Sequence, residues 1–104
     1  MFHPKRFALS PIVPLPTKGI LFSVSSLSLD ELVAVLGPPQ ESDGPHSQHA
    51  KFWMLRIDGI LIGLEYSAET LAVFSESADA DLIAGKLGFS TDTLTRYQFT
   101  DNSH

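Results

Sequence analysis

Apolar and polar residues alternate most regularly over residues 51–66, KFWMLRIDGILIGLEY, where two strand-forming runs flank Asp58-Gly59. A period of two marks a strand with one buried face, and Asp-Gly suits a two-residue type I′ turn because Gly, and tolerably Asp, accept positive φ. The pattern predicts a hairpin. Setting Ile57 opposite Ile60 puts Leu55 against Ile62, Trp53 against Leu64 and Lys51 against Tyr66, so the apolar members of this set share one core face. The other face carries Phe52, Met54, Arg56, Leu61, Gly63 and Glu65, too apolar for a fully solvated surface and too charged for a second core.

Weaker patterns flank the hairpin. Ile20, Phe22 and Val24 alternate with Leu21 and Ser23, which predicts a first strand over residues 19–24. Ser28 and Glu31 form a capping box, Leu27 and Leu32 hold the positions of a hydrophobic staple, and Leu29, Leu32, Val33 and Leu36 recur at helical spacing. Gly37 and Pro38-Pro39 stop this helix, predicted at 29–36. Residues 38–50, PPQESDGPHSQHA, read as a polar, turn-rich loop. Beyond the hairpin, residues 67–70 form a turn and residues 71–75 a strand, with Leu71 and Val73 on one side and Ala72 and Phe74 on the other. Ser77 then caps a second helix with Asp79 and Asp81 in its first turn, an apolar face of Leu82, Ile83 and Leu87, and a stop at Gly88. In residues 93–100, Thr95, Tyr97 and Phe99 alternate with Leu94, Arg96 and Gln98, favouring a closing strand over a helix.

These elements define an α+β fold: a single small domain over residues 19–100 in the order strand, helix, three strands, helix, strand. Its sheet is mostly antiparallel, with both short helices on the Trp53 face. Residues 1–18 hold Pro4, Pro11, Pro14 and Pro16 and form an extended arm, and residues 101–104 form a loose tail. Phe2, Phe7, Leu9, Ile12, Val13 and Leu15 give the arm enough apolar area to lie across its own domain, the favoured reading, or across a partner.

A chain of 104 residues is long enough to bury one core without metal or disulfide, and it contains no cysteine. No run approaches the roughly 20 apolar residues of a membrane helix, so a soluble, cytoplasmic protein is expected. Charge sharpens the picture. Lys5, Arg6 and Lys18 meet no acid before Asp30, giving residues 1–29 +3, while all 12 acids against Lys51, Arg56, Lys86 and Arg96 leave −8 for the remainder and −5 overall. Such a field repels phosphate backbones and attracts basic surfaces, which argues against direct nucleic-acid binding.

The candidate chemistry is sparse. His46 and His49 with Asp43 have a loosely zinc-like spacing, but Gly44 and Pro45 place them in an irregular loop, and no metal site is assigned. The sequence contains no G-x-S-x-G elbow, and its histidines fall in arm, loop and tail, so no catalytic residue and no cofactor are assigned either. Protein recognition remains. Phe52, Met54 and Arg56 with Glu65 are interface-type residues, and Glu69, Glu76, Asp79 and Asp81 continue an acid-only run. The expectation is a non-enzymatic protein-binding module, most concretely a small acidic inhibitor of the immunity-protein or antitoxin type that neutralises a basic effector such as a nuclease. The alternative is an assembly subunit that forms a homo-oligomer through the arm and the Phe52 face; a phage-encoded inhibitor of a nucleic-acid-handling complex is a third. The succession of helix, Leu36-Gly37-x-Pro39, polar loop and Trp53 strand resembles the helix–loop–hairpin unit of the β-lactamase inhibitor proteins and of small outer-membrane assembly lipoproteins.

Overall fold

The computed structural model describes residues 3–15, 19–44 and 47–96. Its elements are β1 (Ala8–Leu9), β2 (Phe22–Ser25), α1 (Leu29–Leu36), β3 (Glu41–Gly44), β4 (Ser47–Ile57), β5 (Ile60–Ser67), β6 (Thr70–Ser75), α2 (Ala80–Leu87), a 3-10 turn (Thr91–Thr93) and β7 (Thr95–Arg96). The strands form one antiparallel sheet in the order β1-β4-β5-β6-β2-β7, with β3 beside β4 on the edge that β1 also uses. The fold is α+β, and no helix of the described residues is long and apolar enough to cross a membrane.

The central hairpin has the register set by its turn. Asp58 and Gly59 take φ of 53° and 80°, and Ile57 pairs with Ile60, Leu55 with Ile62, Trp53 with Leu64 and Lys51 with Tyr66. The core forms on the Trp53 face, where Leu32 and Leu36 of α1 and Ile83, Ala84 and Leu87 of α2 join the hairpin residues, Phe22, Leu71 and Val73. Phe22 and Phe89 meet edge to face at 6.4 Å between centroids. Two aromatic side chains also moor α1. The Tyr66 hydroxyl donates to the Leu27 carbonyl at 2.6 Å, just before the N-cap Ser28, and the Trp53 indole N–H donates to the carbonyl of the C-cap Gly37 at 3.1 Å. A short helix whose own propensity is marginal is thus held at both ends. Burial pushes the Tyr66 phenol above its ordinary pKa, with the negative charges of Glu69 and Asp30 adding to the shift.

Several elements depart from the expectations. The polar stretch 38–50 is largely strand: Glu41 and Ser42 pair with Phe52 and Lys51, and β4 reaches back to Ser47. A ladder needs only backbone donors and acceptors, so an edge strand can form without an apolar period to announce it. The cap of α2 is Asp79, whose carboxylate accepts the Leu82 amide, while Ser77 lies outside the helix and accepts the Asp79 amide. Leu82 is 43% exposed, and Ala84 takes its expected place in the core. The strand predicted over residues 19–24 is β2, and it starts at Phe22, three residues later than the alternation indicated. The closing strand is cut short at its start, because the Ser90 hydroxyl and carbonyl bond Asp92 and Thr93 into a 3-10 turn. Thr95 and Arg96 pair with Ser23 and Phe22, and the rest of that predicted strand, like the predicted tail, lies outside the described residues.

Candidate functional site

The second sheet face is the candidate site, and the arm shapes it. The described part of the arm starts beside α2, where the His3 and Lys5 amides donate to the Leu87 and Lys86 carbonyls at its end, each at 2.9 Å. These carbonyls have no partner within the helix, so the arm supplies a cap from a distant part of the sequence rather than from the next turn. Gly88 makes the approach possible: a Cβ there would lie 2.5 Å from the His3 carbonyl oxygen and 2.8 Å from its nitrogen. Phe7 packs against the core, β1 pairs with Leu55 and Arg56, and the Ser10 amide donates to the Met54 carbonyl at 2.9 Å.

Gln40 holds the gap between β1 and β3. Its backbone N–H donates to the Phe52 carbonyl, its side-chain oxygen accepts the Met54 amide, and its side-chain nitrogen donates to the Ser10 carbonyl at 2.7 Å. One amide side chain therefore completes the β4 edge and ties the arm to it, using both its donor and its acceptor. From there the arm turns onto the second face. Leu15 lies above Gly63, where an added Cβ would sit 3.1 Å from the leucine Cδ1 and 3.2 Å from Phe52 Cζ.

Between arm and sheet runs an open cleft of about 260 Å³, lined by Val13, Pro14, Leu15, Phe52, Met54, Glu65 and Phe74. Neither helix covers this face, because the buried residues of both belong to the core on the Trp53 side. Phe52 and Phe74 remain half-buried, and Ile12 and Val13 of the arm are each 40% exposed. Glu65 is the one titratable side chain among the lining residues. A cleft so lined can seat an apolar side chain beside a positive charge; it brings no nucleophile and base together.

The residues singled out from the sequence divide into three places. Phe52, Met54 and Glu65 meet in the cleft, where Met54 is 1% exposed beneath the arm. Arg56 is exposed at the hairpin end, with its guanidinium donating to the Gly59 carbonyl at 3.1 Å. The acid-only run does not form one patch. Glu69 sits in the turn between β5 and β6, whereas Glu76, Asp79 and Asp81 follow β6 at the opposite end of the sheet. Six strand residues separate those ends by roughly 20 Å, about two screening lengths at physiological salt.

Three of these acids also hold the fold together. Glu76 accepts the Leu61 amide at 3.1 Å, Asp79 caps α2, and Asp81 pairs with Arg96. At the hairpin tip Asp58 pairs with Lys86 at 2.6 Å; that hydrogen bond and the ammonium charge hold the carboxyl below its ordinary pKa, with Lys5 adding a smaller effect. Sequence reasoning missed Phe74, Gln40 and residues 13–15 as parts of the site. Phe74 was within reach, since its alternation with Val73 already put it on the second face. Among the described residues no three potential ligands gather to hold a metal ion. His46 and the side chains of Asp43 and His49 lie outside them.

The chain matches no protein-family model, and no curated protein or solved structure matches it.

Proposed function

We propose that the protein is a non-enzymatic protein-binding module, a small acidic inhibitor of the immunity-protein or antitoxin kind, which receives an apolar anchor from a basic effector in the Phe52–Phe74 cleft. The observation that supports this reading is the cleft itself: two half-buried aromatic rings with Glu65 beside them, on a sheet face that neither α1 nor α2 covers. Buried aromatic contacts carry much of the energy at protein interfaces, and the net charge of −5 favours encounter with a positive partner. A domain that closes without a disulfide suits the reducing cytoplasm, where we place it.

The test begins with a partner captured from source lysate on the immobilised protein and identified by mass spectrometry. Phe74→Leu is expected to raise its off-rate about tenfold or more, since losing a central aromatic contact typically costs over ~1.4 kcal/mol. Glu69→Lys, at an acid that takes no part in a helix cap, is expected to slow association at low salt and not at high salt. An acidic partner, or rates insensitive to both changes, overturns the proposal.

A further inference from the structure

The register of the sheet decides what the Phe52–Phe74 cleft accepts. Phe52 and Glu65 are direct partners across β4 and β5, and Phe74 of β6 faces Gly63, the next residue along β5 on the same side as Glu65. Directly opposed side chains stand about 5 Å apart at Cβ and diagonal ones about 7–8 Å, so the carboxylate lies within one side-chain length of both rings. Gly63 leaves a side chain out of the strand between them, and the space above it is bounded by Leu15 and Phe52. The remaining lining is apolar, so the cleft presents one negative charge in an otherwise apolar wall.

That combination selects its occupant. A wholly apolar side chain would take the half-buried Glu65 carboxylate further out of water with nothing in return, and an acidic one would meet a like charge. A short polar one would leave the rings and Met54 uncovered. A long aliphatic stem ending in a positive charge satisfies both demands, the stem lying on the apolar wall and the head meeting ring and carboxylate. Arginine suits best, because its guanidinium is weakly hydrated, stacks on aromatic rings and donates to a carboxylate through a planar fork. A carboxylate accepts at about four positions, so Glu65 can take these donors alongside its interactions within the chain. The volume agrees: 260 Å³ is below the roughly 300–1,000 Å³ of cavities that enclose small molecules and suits a single side chain.

Resting on the reading of this cleft as the partner's docking place, we propose that the anchor a basic effector inserts there is an arginine, with its stem on Phe52 and Phe74 and its guanidinium on Glu65. Peptides probe the cleft without the effector. The isotope-labelled chain is titrated with a blocked glycyl-arginyl-glycine tripeptide and with its citrulline counterpart, which keeps the shape and loses the charge. Binding is followed at the Gly63, Glu65 and Phe74 amides and the Met54 methyl. The arginine peptide is expected to saturate these shifts with a millimolar dissociation constant, about tenfold or more below that of the citrulline peptide, a difference of about 1.4 kcal/mol. Raising the salt should weaken arginine binding and leave citrulline binding unchanged, a readout that needs no variant. Glu65→Gln should abolish the preference while the amide spectrum away from the cleft stays that of the wild type, and Phe52→Leu should weaken both peptides. Equal binding of the two peptides would sink the arginine anchor and leave the inhibitor reading standing, whereas an effector indifferent to Phe74→Leu bears on that reading alone. Equal affinities, a preference that survives Glu65→Gln in a folded chain, or no saturable shift at these positions overturns the proposal.

Discussion

Gly59 and Gly88 offer a matched pair for measuring what the arm contributes to stability. Both have left-handed backbone, at φ of 80° and 85°, so an alanine at either position meets a similar intrinsic penalty of about 1–2 kcal/mol. Their surroundings differ. A Cβ on Gly59 would meet nothing within 4 Å, whereas one on Gly88 would stand 2.5 Å from the His3 carbonyl oxygen and 2.8 Å from its Cβ. That contact is with backbone and cannot be relieved by a rotamer change, so Gly88→Ala must push the start of the arm off α2. The amide bonds of His3 and Lys5 to Leu87 and Lys86 go with it, at roughly 0.5–1.5 kcal/mol each. The expected loss is therefore about 1–2 kcal/mol for Gly59→Ala and about 2–5 kcal/mol for Gly88→Ala. Urea unfolding measures both, and amide exchange locates the difference: only Gly88→Ala should deprotect His3 and Lys5. Equal losses in the two variants, or unchanged protection of those amides in Gly88→Ala, would refute the docking of the arm on α2.

Two further outcomes follow from the helices. Gly85 lies inside α2 and a Cβ there meets nothing within 4 Å, so Gly85→Ala should stabilise by about 0.5–1 kcal/mol in the same unfolding assay; a loss would mean that α2 is not helical at this position. The Tyr66 phenol is raised above its ordinary pKa of 10.0, so the unfolded chain ionises first as the pH climbs. The stability it supports is fully present below that value and is lost as the pH rises through the folded one. Tyr66→Phe should be less stable near neutrality by about 1–3 kcal/mol, because the Leu27 carbonyl loses its buried donor. Its stability should also fall less steeply than the wild type's in alkaline solution, and parallel pH profiles would show that Tyr66 is not buried in that bond.

The features legible in the sequence are those with local causes. The Asp58-Gly59 turn fixes a register, and because side chains alternate, one correct pair, Ile57 with Ile60, determines every other pair of the hairpin. Helix α1 was legible for the same kind of reason: Ser28, the Leu27 and Leu32 staple and Gly37 act within one or two turns of each other. The site was legible only in part. Phe52 and Glu65 could be placed on a common face from the register alone, but the sequence could not show whether α1, α2 or the arm would cover it.

The tertiary structure decided what depends on contacts between distant backbone groups. The pairing of β3 and the capping of α2 by His3 and Lys5 rest on backbone amide and carbonyl groups, which every residue but proline offers alike. The acid-only run illustrates the same division. The acids follow one another along the sequence, but a strand carries its flanking residues to opposite ends of the sheet, which parts Glu69 from Glu76 and Asp79. Side-chain patterns at short range could be read directly from the chain, whereas the route of the arm and the grouping of the charges were set by long-range closure, for which a single sequence carries no periodic signal.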